Sequence, residues 1–299
     1  MAIAMIRRAS RGLHRLAETR MSPRCIHGVA SEGFAADASL YDRVRPSYPA
    51  LGVAHALGDV DAAWARILDV ASGTGILTRR LLEFGARDVA AVEPVAAMRA
   101  EFERAVAGVP ISDGTADALP FGDGAFDVAC VGQAFHWFAN EQSLVELGRV
   151  LADGGRLALL WNLEDDSEPW VRDVREAYEV HDTGAQGDVP QYRKGRWRAA
   201  FETPGARAAF PGGCESAFFD NFLLTTREEI WERALSKSYC ATLPPDQRDA
   251  LVAEIAAIVG HYEASGALAF DVARPGDGAP CARLPINSEV AVAVRGARA

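Results

Sequence analysis

The chain has 299 residues, of which 49% are hydrophobic and 24% charged, and its formal net charge is −10. This composition is typical of a globular protein with a sizeable core, and no apolar run approaches the roughly 20 residues that a membrane helix needs. Because nucleic-acid enzymes usually present a basic face, the acidic balance argues against a nucleic-acid partner.

The first thirty residues differ from the rest of the chain. They contain six arginines and a single acid, Glu18. Such a composition is typical of an organellar transit peptide, and the alternatives are an extension without defined structure or a translation start at Met5 or Met21. We therefore expect residues 31–299 to form a single domain, in the cytoplasm or, if residues 1–30 act as an address, in a mitochondrion or plastid.

Strand and helix patterns alternate from residue 65 onward. The predicted strands cover residues 66–70, 89–92, 111–112, 126–131 and 156–161. The predicted helices cover residues 76–84, 94–106 and 140–151. Strands that alternate with helices of about ten residues indicate βαβ units and a mostly parallel sheet.

This alternation ends after Asn162. Residues 163–212 are mixed in character, and the acids near their start predict a solvated face. Further on, the sequence predicts a strand at 217–224, a helix opened by a Thr226–Glu229 capping box, a helix at 246–258 and a strand at 284–294. We expect an α/β fold with a seven-stranded, mostly parallel sheet, helices on both faces, and a helical cap inserted after the fifth strand at about 163–215.

A turn of small residues follows the first predicted strand. Asp69 ends that strand, and Gly73 and Gly75 stand before the next helix. Glycines let the backbone approach a ligand closely, and a helix N-terminus favours negative groups. The third small residue of a dinucleotide fingerprint is missing, since Thr78 and Arg79 stand in its place, and the Gly-Lys-Ser/Thr of a P-loop is absent.

Three acids follow three successive predicted strands. Asp69 ends the first strand, Glu93 ends the second, and Asp117 follows the third. Carboxylates at these points can accept hydrogen bonds from an ammonium group, from ribose hydroxyls and from the amine of adenine, while the N–H of Ala118 can donate to a ring nitrogen. S-adenosylmethionine carries all these groups and no pyrophosphate, so the sequence predicts it as the cofactor.

Six segments resemble the successive motifs of class I S-adenosylmethionine-dependent methyltransferases. They are YDRVRPSYP (41–49), ILDVASGTG (67–75), VAAVEP (89–94), GTADALPFGDGAFDVACVGQAFHWF (114–138), GRVLADGGRLALLWN (148–162) and SKSYCATLPPDQRDAL (236–251). The first and last are similar to the type 11 domain subgroup, which includes ubiquinone-biosynthesis and trans-aconitate methyltransferases. The resemblance covers about residues 34–294 and implies a Rossmann-like fold.

The resemblance also implies which residues hold the cofactor. They are Asp69, Ala71, Gly73, Gly75, Glu93, Met98, Asp117, Ala118 and Gln133. Of these, Asp69 and the two glycines would meet the methionine end, Glu93 would hold the ribose, and Met98 would pack on adenine. Ala71 departs from the pattern, since many relatives have glycine there.

The acceptor residues follow from the same resemblance, which places acceptors against the N-terminal segment and the cap. The expected substrate residues are Tyr41, Arg45, Tyr48 and Trp137. A phenol, hydroxyl or carbon acid needs a general base, and His136 is the candidate, whereas a carboxylate acceptor needs none. A purely structural role for His136 stays open, and no metal site is evident.

These observations predict methyl transfer to an oxygen or carbon of a small-molecule acceptor, such as a carboxylic acid or a quinone-like compound. Two alternatives remain at this stage. One is a cofactor-binding protein with little catalysis, and the other is a protein or nucleic-acid methyltransferase.

Overall fold

The computed structural model describes residues 38–182 and 190–298, so the predicted extension at 1–30 lies outside the described residues. The helices are α1 (Ala38–Val44), α2 (Ala50–Leu57), α3 (Ile76–Glu83), α4 (Ala96–Ala105), α5 (Glu141–Val150), α6 (Pro169–Glu179), α7 (Pro204–Ala209), α8 (Arg227–Leu235), α9 (Ser238–Ala241) and α10 (Pro245–Ala264). The strands are β1 (Arg66–Val70), β2 (Asp88–Val92), β3 (Ile111–Ser112), β4 (Phe126–Gly132), β5 (Leu151–Glu164), β6 (Glu215–Thr225), β7 (Val272–Ala273) and β8 (Pro280–Val294). Short 3₁₀ helices lie at Phe135–Trp137, Tyr192–Lys194 and Arg196–Glu202.

Seven strands form one continuous sheet in the order β3–β2–β1–β4–β5–β8–β6, and the short β7 pairs with β8. The first five strands pair in parallel, whereas β8 runs antiparallel between β5 and β6. The predicted seven-stranded, mostly parallel sheet is confirmed, with β7 as an addition. The strand order reverses between β1 and β4, which is where an open α/β sheet usually binds its ligand.

Apolar side chains cover both faces of this sheet, because successive residues of a strand point to opposite sides. Leu68 of β1 packs on one face together with Leu144 of α5. Its neighbour Ile67 packs on the other face together with Leu81 of α3. Strands buried on both faces explain the nearly continuous apolar runs in the sequence.

A third apolar cluster lies apart from these two and forms the cap. It joins Trp170 of α6, Ile230 of α8 and Leu251 of α10 to Leu284 at the start of β8. No helix among the described residues is both long and apolar enough to cross a membrane.

The composition of the cap differs from the prediction of a single insertion at 163–215. Of the residues that the structure describes in that span, only those of α6 join the third cluster, whereas Trp197 and Phe201 bury their rings in the sheet cluster that also contains Leu144. The remaining cap helices, α8 to α10, come from the chain after β6. Two separate apolar faces within one segment account for the difference.

Two helix starts are capped as the sequence predicts. The Asn140 side chain accepts from the N–H of Ser143 at 2.9 Å at the start of α5. At the start of α8, Thr226 and Glu229 form both bonds of the capping box, at 3.3 and 3.0 Å. These local signals involve only neighbouring residues, which is why they can be identified from the sequence.

Candidate active site

A cavity of about 400 Å³, here called the main cavity, lies beyond the carboxyl ends of β1, β2 and β4. This volume is within the range of about 300–1,000 Å³ that small-molecule sites usually have. The predicted cofactor residues among its lining are Asp69, Ala71, Gly73, Glu93, Met98, Asp117 and Gln133. The structure thus brings together seven of the nine predicted positions.

The turn after β1 has left-handed backbone at Ala71, Gly73 and Gly75, with φ of 54°, 57° and 86°. A Cβ atom on Gly73 would meet no other atom within 4 Å, because this glycine faces open space. A Cβ atom on Gly75 would lie 2.5 Å from Cγ2 of Val106, just after α4. Gly75 therefore lets the turn pack against α4, and it does not line the main cavity.

Two buried acids stand at the ends of β1 and β2. Oδ2 of Asp69 accepts from Thr78 Oγ1 at 2.5 Å, while its Oδ1 has no hydrogen-bond partner in the part of the chain that the structure describes. Glu93 accepts from the N–H groups of Gly73 and Val95 at 2.9 and 2.8 Å. Burial raises the pKa of each acid to about 7. A cationic ligand group beside Asp69 would lower that pKa and fill its open acceptor position.

Two hydroxyls of the same cavity are also buried without partners among the described residues, namely those of Ser72 and Ser143. Native structures leave few buried polar atoms unpaired, so four in one lining, with Nε of Arg45 counted, indicate a polar ligand. S-adenosylmethionine, with its ammonium, hydroxyl and amine groups, fits this donor and acceptor set. Sequence reasoning missed both serines, since a serine in a turn or helix is usually solvated.

The adenine side of the site agrees only in part with the prediction. Asp117 lines the main cavity. The N–H of Ala118, expected to meet a ring nitrogen, donates to the carbonyl of Thr115 at 3.1 Å instead. That bond closes the loop after β3, so the predicted role of Ala118 is not supported.

Gln133 is the second non-glycine residue with positive φ, at 58°. Its N–H donates to Leu160 O at 2.8 Å, and its Nε2 donates to Asn162 O at 2.9 Å. Such a conformation costs about 1–3 kcal/mol and persists where the surroundings fix it, often at functional sites. Ala71 and Gln133 both line the main cavity, so the strained positions coincide with the candidate site.

A smaller space of about 140 Å³, here called the side cavity, adjoins the main cavity. The two share Tyr41, Arg45, Gln133 and Trp137 in their linings. Tyr48 lines only the main cavity, where its hydroxyl lies against Gly132. Three of the four predicted substrate residues therefore lie at the junction of the two cavities.

His136 lines the side cavity. Its Nδ1 accepts from the indole N–H of Trp161 at 3.2 Å, so a neutral ring carries its proton on Nε2. Burial lowers the pKa of His136 to about 3. An imidazole in this state donates a hydrogen bond from Nε2, and the general-base role expected from the sequence is not supported.

The acids after β5 were expected to form a solvated face, but Glu164 is buried in the side cavity. Its Oε1 accepts from Arg233 Nε at 2.9 Å and from Lys237 Nζ at 3.1 Å, and its Oε2 accepts from Tyr178. Burial opposes ionisation, but Lys237 and Arg233 outweigh it and hold the pKa of Glu164 well below its usual range. Sequence reasoning missed this cluster because its members come from β5, α6, α8 and the loop after α8.

Comparison with known proteins agrees with the fold. The model of a methyltransferase domain family matches residues 68–159. An uncharacterised methyltransferase of Mycobacterium bovis is 34% identical over 224 residues, which cover 75% of this chain and 84% of the relative. The demethylmenaquinone methyltransferase of Thermus thermophilus is 44% identical over 107 residues, which cover 34% of this chain and 49% of that one. The solved structure of a protein from Anaeromyxobacter dehalogenans, named as a type II methyltransferase, is 22% identical with a TM-score of 0.53 and has the same fold over 84% of this chain and 97% of its own.

Proposed function

Because this chain belongs to the S-adenosylmethionine-dependent methyltransferases, we propose that it methylates an oxygen or carbon atom of a small-molecule acceptor. When bound, the cofactor supplies a methyl group that is already activated by its positive sulfur. The protein then has two tasks, which are to hold two reactants in line and to exclude water. Alignment of this kind can account for ~7–11 kcal/mol of a reaction barrier.

The main cavity has residues suited to each end of the cofactor. Asp69 would accept from the ammonium group with its open Oδ1, Glu93 from the ribose hydroxyls, and Asp117 from the adenine amine. The buried position of the first two acids supports these roles, since a buried carboxyl without a cationic partner has a raised pKa. Met98, buried on α4 and lining the cavity, would pack against the adenine ring.

The side cavity is the observation that carries the proposal of a small acceptor. Its volume of about 140 Å³ is about a third of the 400 Å³ of the main cavity. Tyr41 and Trp137 stand between this space and the main cavity. A compact acceptor, or the compact head of a longer one, can fill the side cavity while its reacting atom lies at the junction.

The acceptor atom would need little help from a base. The imidazole of His136 can donate from Nε2 to an acceptor oxygen and so orient it, but it does not take up a proton near neutral pH. An acceptor that is already an anion loses no proton on methylation. This favours an acidic oxygen or an acidified carbon over an aliphatic alcohol.

Binding and turnover test the proposal in two stages. S-adenosylmethionine should raise the melting temperature of the protein in a concentration-dependent manner, because it binds only the folded state. NADH, which carries adenosine and a pyrophosphate but no sulfonium, serves as the control and should give no shift. A panel of small acids, phenols and quinones, scored for release of S-adenosylhomocysteine, then identifies the acceptor class. A shift from NADH alone would overturn the cofactor assignment.

A further inference from the structure

We propose that the side cavity binds a carboxylate of the methyl acceptor, so that the substrate is a small organic acid. This inference rests on the proposed function, since it concerns the molecule that is methylated. It is carried by a cluster of four charged side chains at one end of the side cavity, here called the inner end. Arg45, Glu164 and Lys237 line the cavity, and Arg233 pairs with Glu164 behind them.

The charges in this cluster do not balance. The side chains of Glu164, Arg233 and Lys237 are only 8%, 5% and 17% exposed. With all four groups ionised, Glu164 neutralises one positive charge and Arg45 adds a third, which leaves an excess of two positive charges. Burial lowers the pKa of Lys237 to about 7, so part of this excess is lost near neutral pH, and a bound carboxylate would raise that pKa again. A carboxylate on the ligand would offset part of this excess, and an uncharged ligand would leave it in place.

Arg45 provides an open donor at the junction of the two cavities. Its Nη2 donates to Ser236 O at 3.0 Å, and its guanidinium carbon lies 4.7 Å from the centre of the Tyr41 ring. Its Nε is buried and has no hydrogen-bond partner within residues 38–182 and 190–298. A buried guanidinium N–H is a strong donor, and a carboxylate is the acceptor that fits it best.

The excess of positive charge lies at the inner end of the side cavity. At the outer rim, Arg193 lies 3.5 Å from Asp166 and 3.9 Å from Glu179, and Arg175 pairs with the same two acids at 2.6 and 3.4 Å. Among residues 38–182 and 190–298, the charges at the rim are therefore balanced. Since the whole chain carries a formal charge of −10, the positive inner end is a local feature and not a general property of the surface.

This placement also orients the acceptor. A carboxylate at Lys237 lies in the side cavity, and the remainder of a small acid then reaches toward Trp137, which lines both cavities. Tyr178 and Tyr239 add aromatic walls that exclude water from the ion pair. Both charge and shape thus select an acid of limited length.

Matched pairs of acids and amides test the inference. Wild-type protein saturated with S-adenosylhomocysteine would be titrated calorimetrically with benzoate, phenylacetate and succinate, and with benzamide, phenylacetamide and succinamide. At least one acid should bind about tenfold or more tightly than its amide, because only the acid forms charge-assisted hydrogen bonds. Phenyl phosphate is included as a second type of anion.

Variants identify the residues that cause this preference. Lys237→Met should weaken binding of the preferred acid by about tenfold and change the affinity for S-adenosylhomocysteine by less than about twofold. Lys237→Arg retains the charge and should restore most of the acid affinity. Arg227→Met is the matched control, because it removes the same charge from an exposed ion pair of the cap with Glu263. If Lys237→Met does not fold, as judged by circular dichroism, Arg45→Met replaces it.

The outcomes separate the two proposals. Acids that bind no better than amides, or phenyl phosphate that binds better than every acid, would overturn the carboxylate site. An acid affinity that is unchanged in the Lys237 or Arg45 variant would do the same. If S-adenosylhomocysteine itself fails to bind the wild-type protein, the proposed function fails, whatever the acids do.

Discussion

The two adjoining cavities shift the pKa of a buried carboxyl group in opposite directions. In the main cavity, Asp69 retains an acceptor atom without a partner, and burial raises its pKa to about 7. In the side cavity, Glu164 has three donors, and its pKa lies well below the usual range. Burial is similar in the two places, so the supply of cationic donors decides the charge state. The main cavity therefore suits a cationic ligand group, and the side cavity suits an anionic one.

A second difference concerns stability. The main cavity combines strained backbone at Ala71 and Gln133 with unpaired polar atoms, and each of these features costs free energy in the ligand-free protein. In the side cavity, Glu164 is satisfied by its own neighbours, and the unpaired polar atom among the described residues there is Nε of Arg45. Ligand binding should therefore stabilise both cavities. In the main cavity, a substitution that removes a costly feature should raise the stability of the ligand-free protein and lower its affinity for the ligand.

The largest effect is expected for Asp69→Asn. The pKa of Asp69 is raised above its unfolded value, so the contribution of this residue to stability is fully present below about pH 4 and is lost as pH rises through about 7. Asparagine removes this cost and should stabilise the ligand-free protein at pH 8 by up to about 4 kcal/mol. Affinity for S-adenosylmethionine should nevertheless fall by about a hundredfold, because the ammonium loses its charged partner. Urea unfolding and calorimetry measure the two quantities.

Asp127→Asn is the matched control for that experiment. Asp127 accepts from the N–H and guanidinium of Arg66 outside both cavities, and those hydrogen bonds outweigh burial and lower its pKa. Its contribution to stability is present above the unfolded pKa and is lost as pH falls, so this variant should be less stable at pH 8 and should bind the cofactor normally. If both variants lose stability equally, the assignment of Asp69 to a ligand is wrong.

The next effect contrasts two glycines of one turn. Gly75→Ala places a Cβ atom 2.5 Å from Val106 and 2.8 Å from Phe102, and this overpacking should cost about 1–3 kcal/mol of stability beyond the cost of its left-handed backbone. Gly73→Ala meets no such neighbour and should lose only about 1–2 kcal/mol from its left-handed backbone. Cofactor affinity should fall by about tenfold in the Gly73 variant. The new Cβ atom would point into the space of the ligand, whose atoms would otherwise lie within ~4 Å of the backbone.

Thermal unfolding with and without S-adenosylmethionine checks this pair. The quantity to compare is the change in melting temperature that the ligand produces in each variant. This change does not depend on how stable the variants are without ligand. The Gly75 variant should keep most of the ligand-induced shift, and the Gly73 variant should lose most of it. The reverse order would mean that Gly75 is the residue that meets the ligand.

A smaller effect is expected at His136, a further donor of the side cavity. His136→Gln keeps an N–H donor and should lower the turnover of the preferred acceptor by no more than about tenfold, whereas loss of a general base would cost ~10²–10⁴-fold. The pH profile of kcat should lack an ascending limb near 6.5, because burial has already lowered the pKa to about 3. Nitrogen NMR of labelled histidine should show a proton on Nε2 from pH 5 to 8. A titration near 6.5 would restore the base hypothesis.

The difference between the cavities also explains what the sequence could predict. The main cavity consists of turns that directly follow strands, so Asp69, Glu93 and Asp117 could be placed from their positions in a βαβ pattern. The side cavity joins Arg45 to Lys237, which are 192 positions apart in the chain. No local pattern links such residues, and Glu164 was interpreted as part of a solvated acidic run. The tautomer of His136 depends on Trp161 in a neighbouring strand and could not be inferred either.

The smallest expected effect tests the strain in the main cavity. Ala71 has φ of 54°, where a side chain costs about 1–2 kcal/mol, and Ala71→Gly removes this cost. Glycine also gains freedom in the unfolded chain, which offsets about 0.5–1 kcal/mol, so the net gain in stability should be about 0.5–1 kcal/mol. Affinity for S-adenosylmethionine should change by less than about twofold, because the turn keeps its conformation.

Gln133→Gly is the comparison variant. It relieves similar strain but deletes the hydrogen bond from Nε2 to Asn162 O, and it should not stabilise the protein. Urea unfolding of both variants measures the difference, and equal stabilisation would show that the Gln133 side chain contributes nothing to the wall between the cavities.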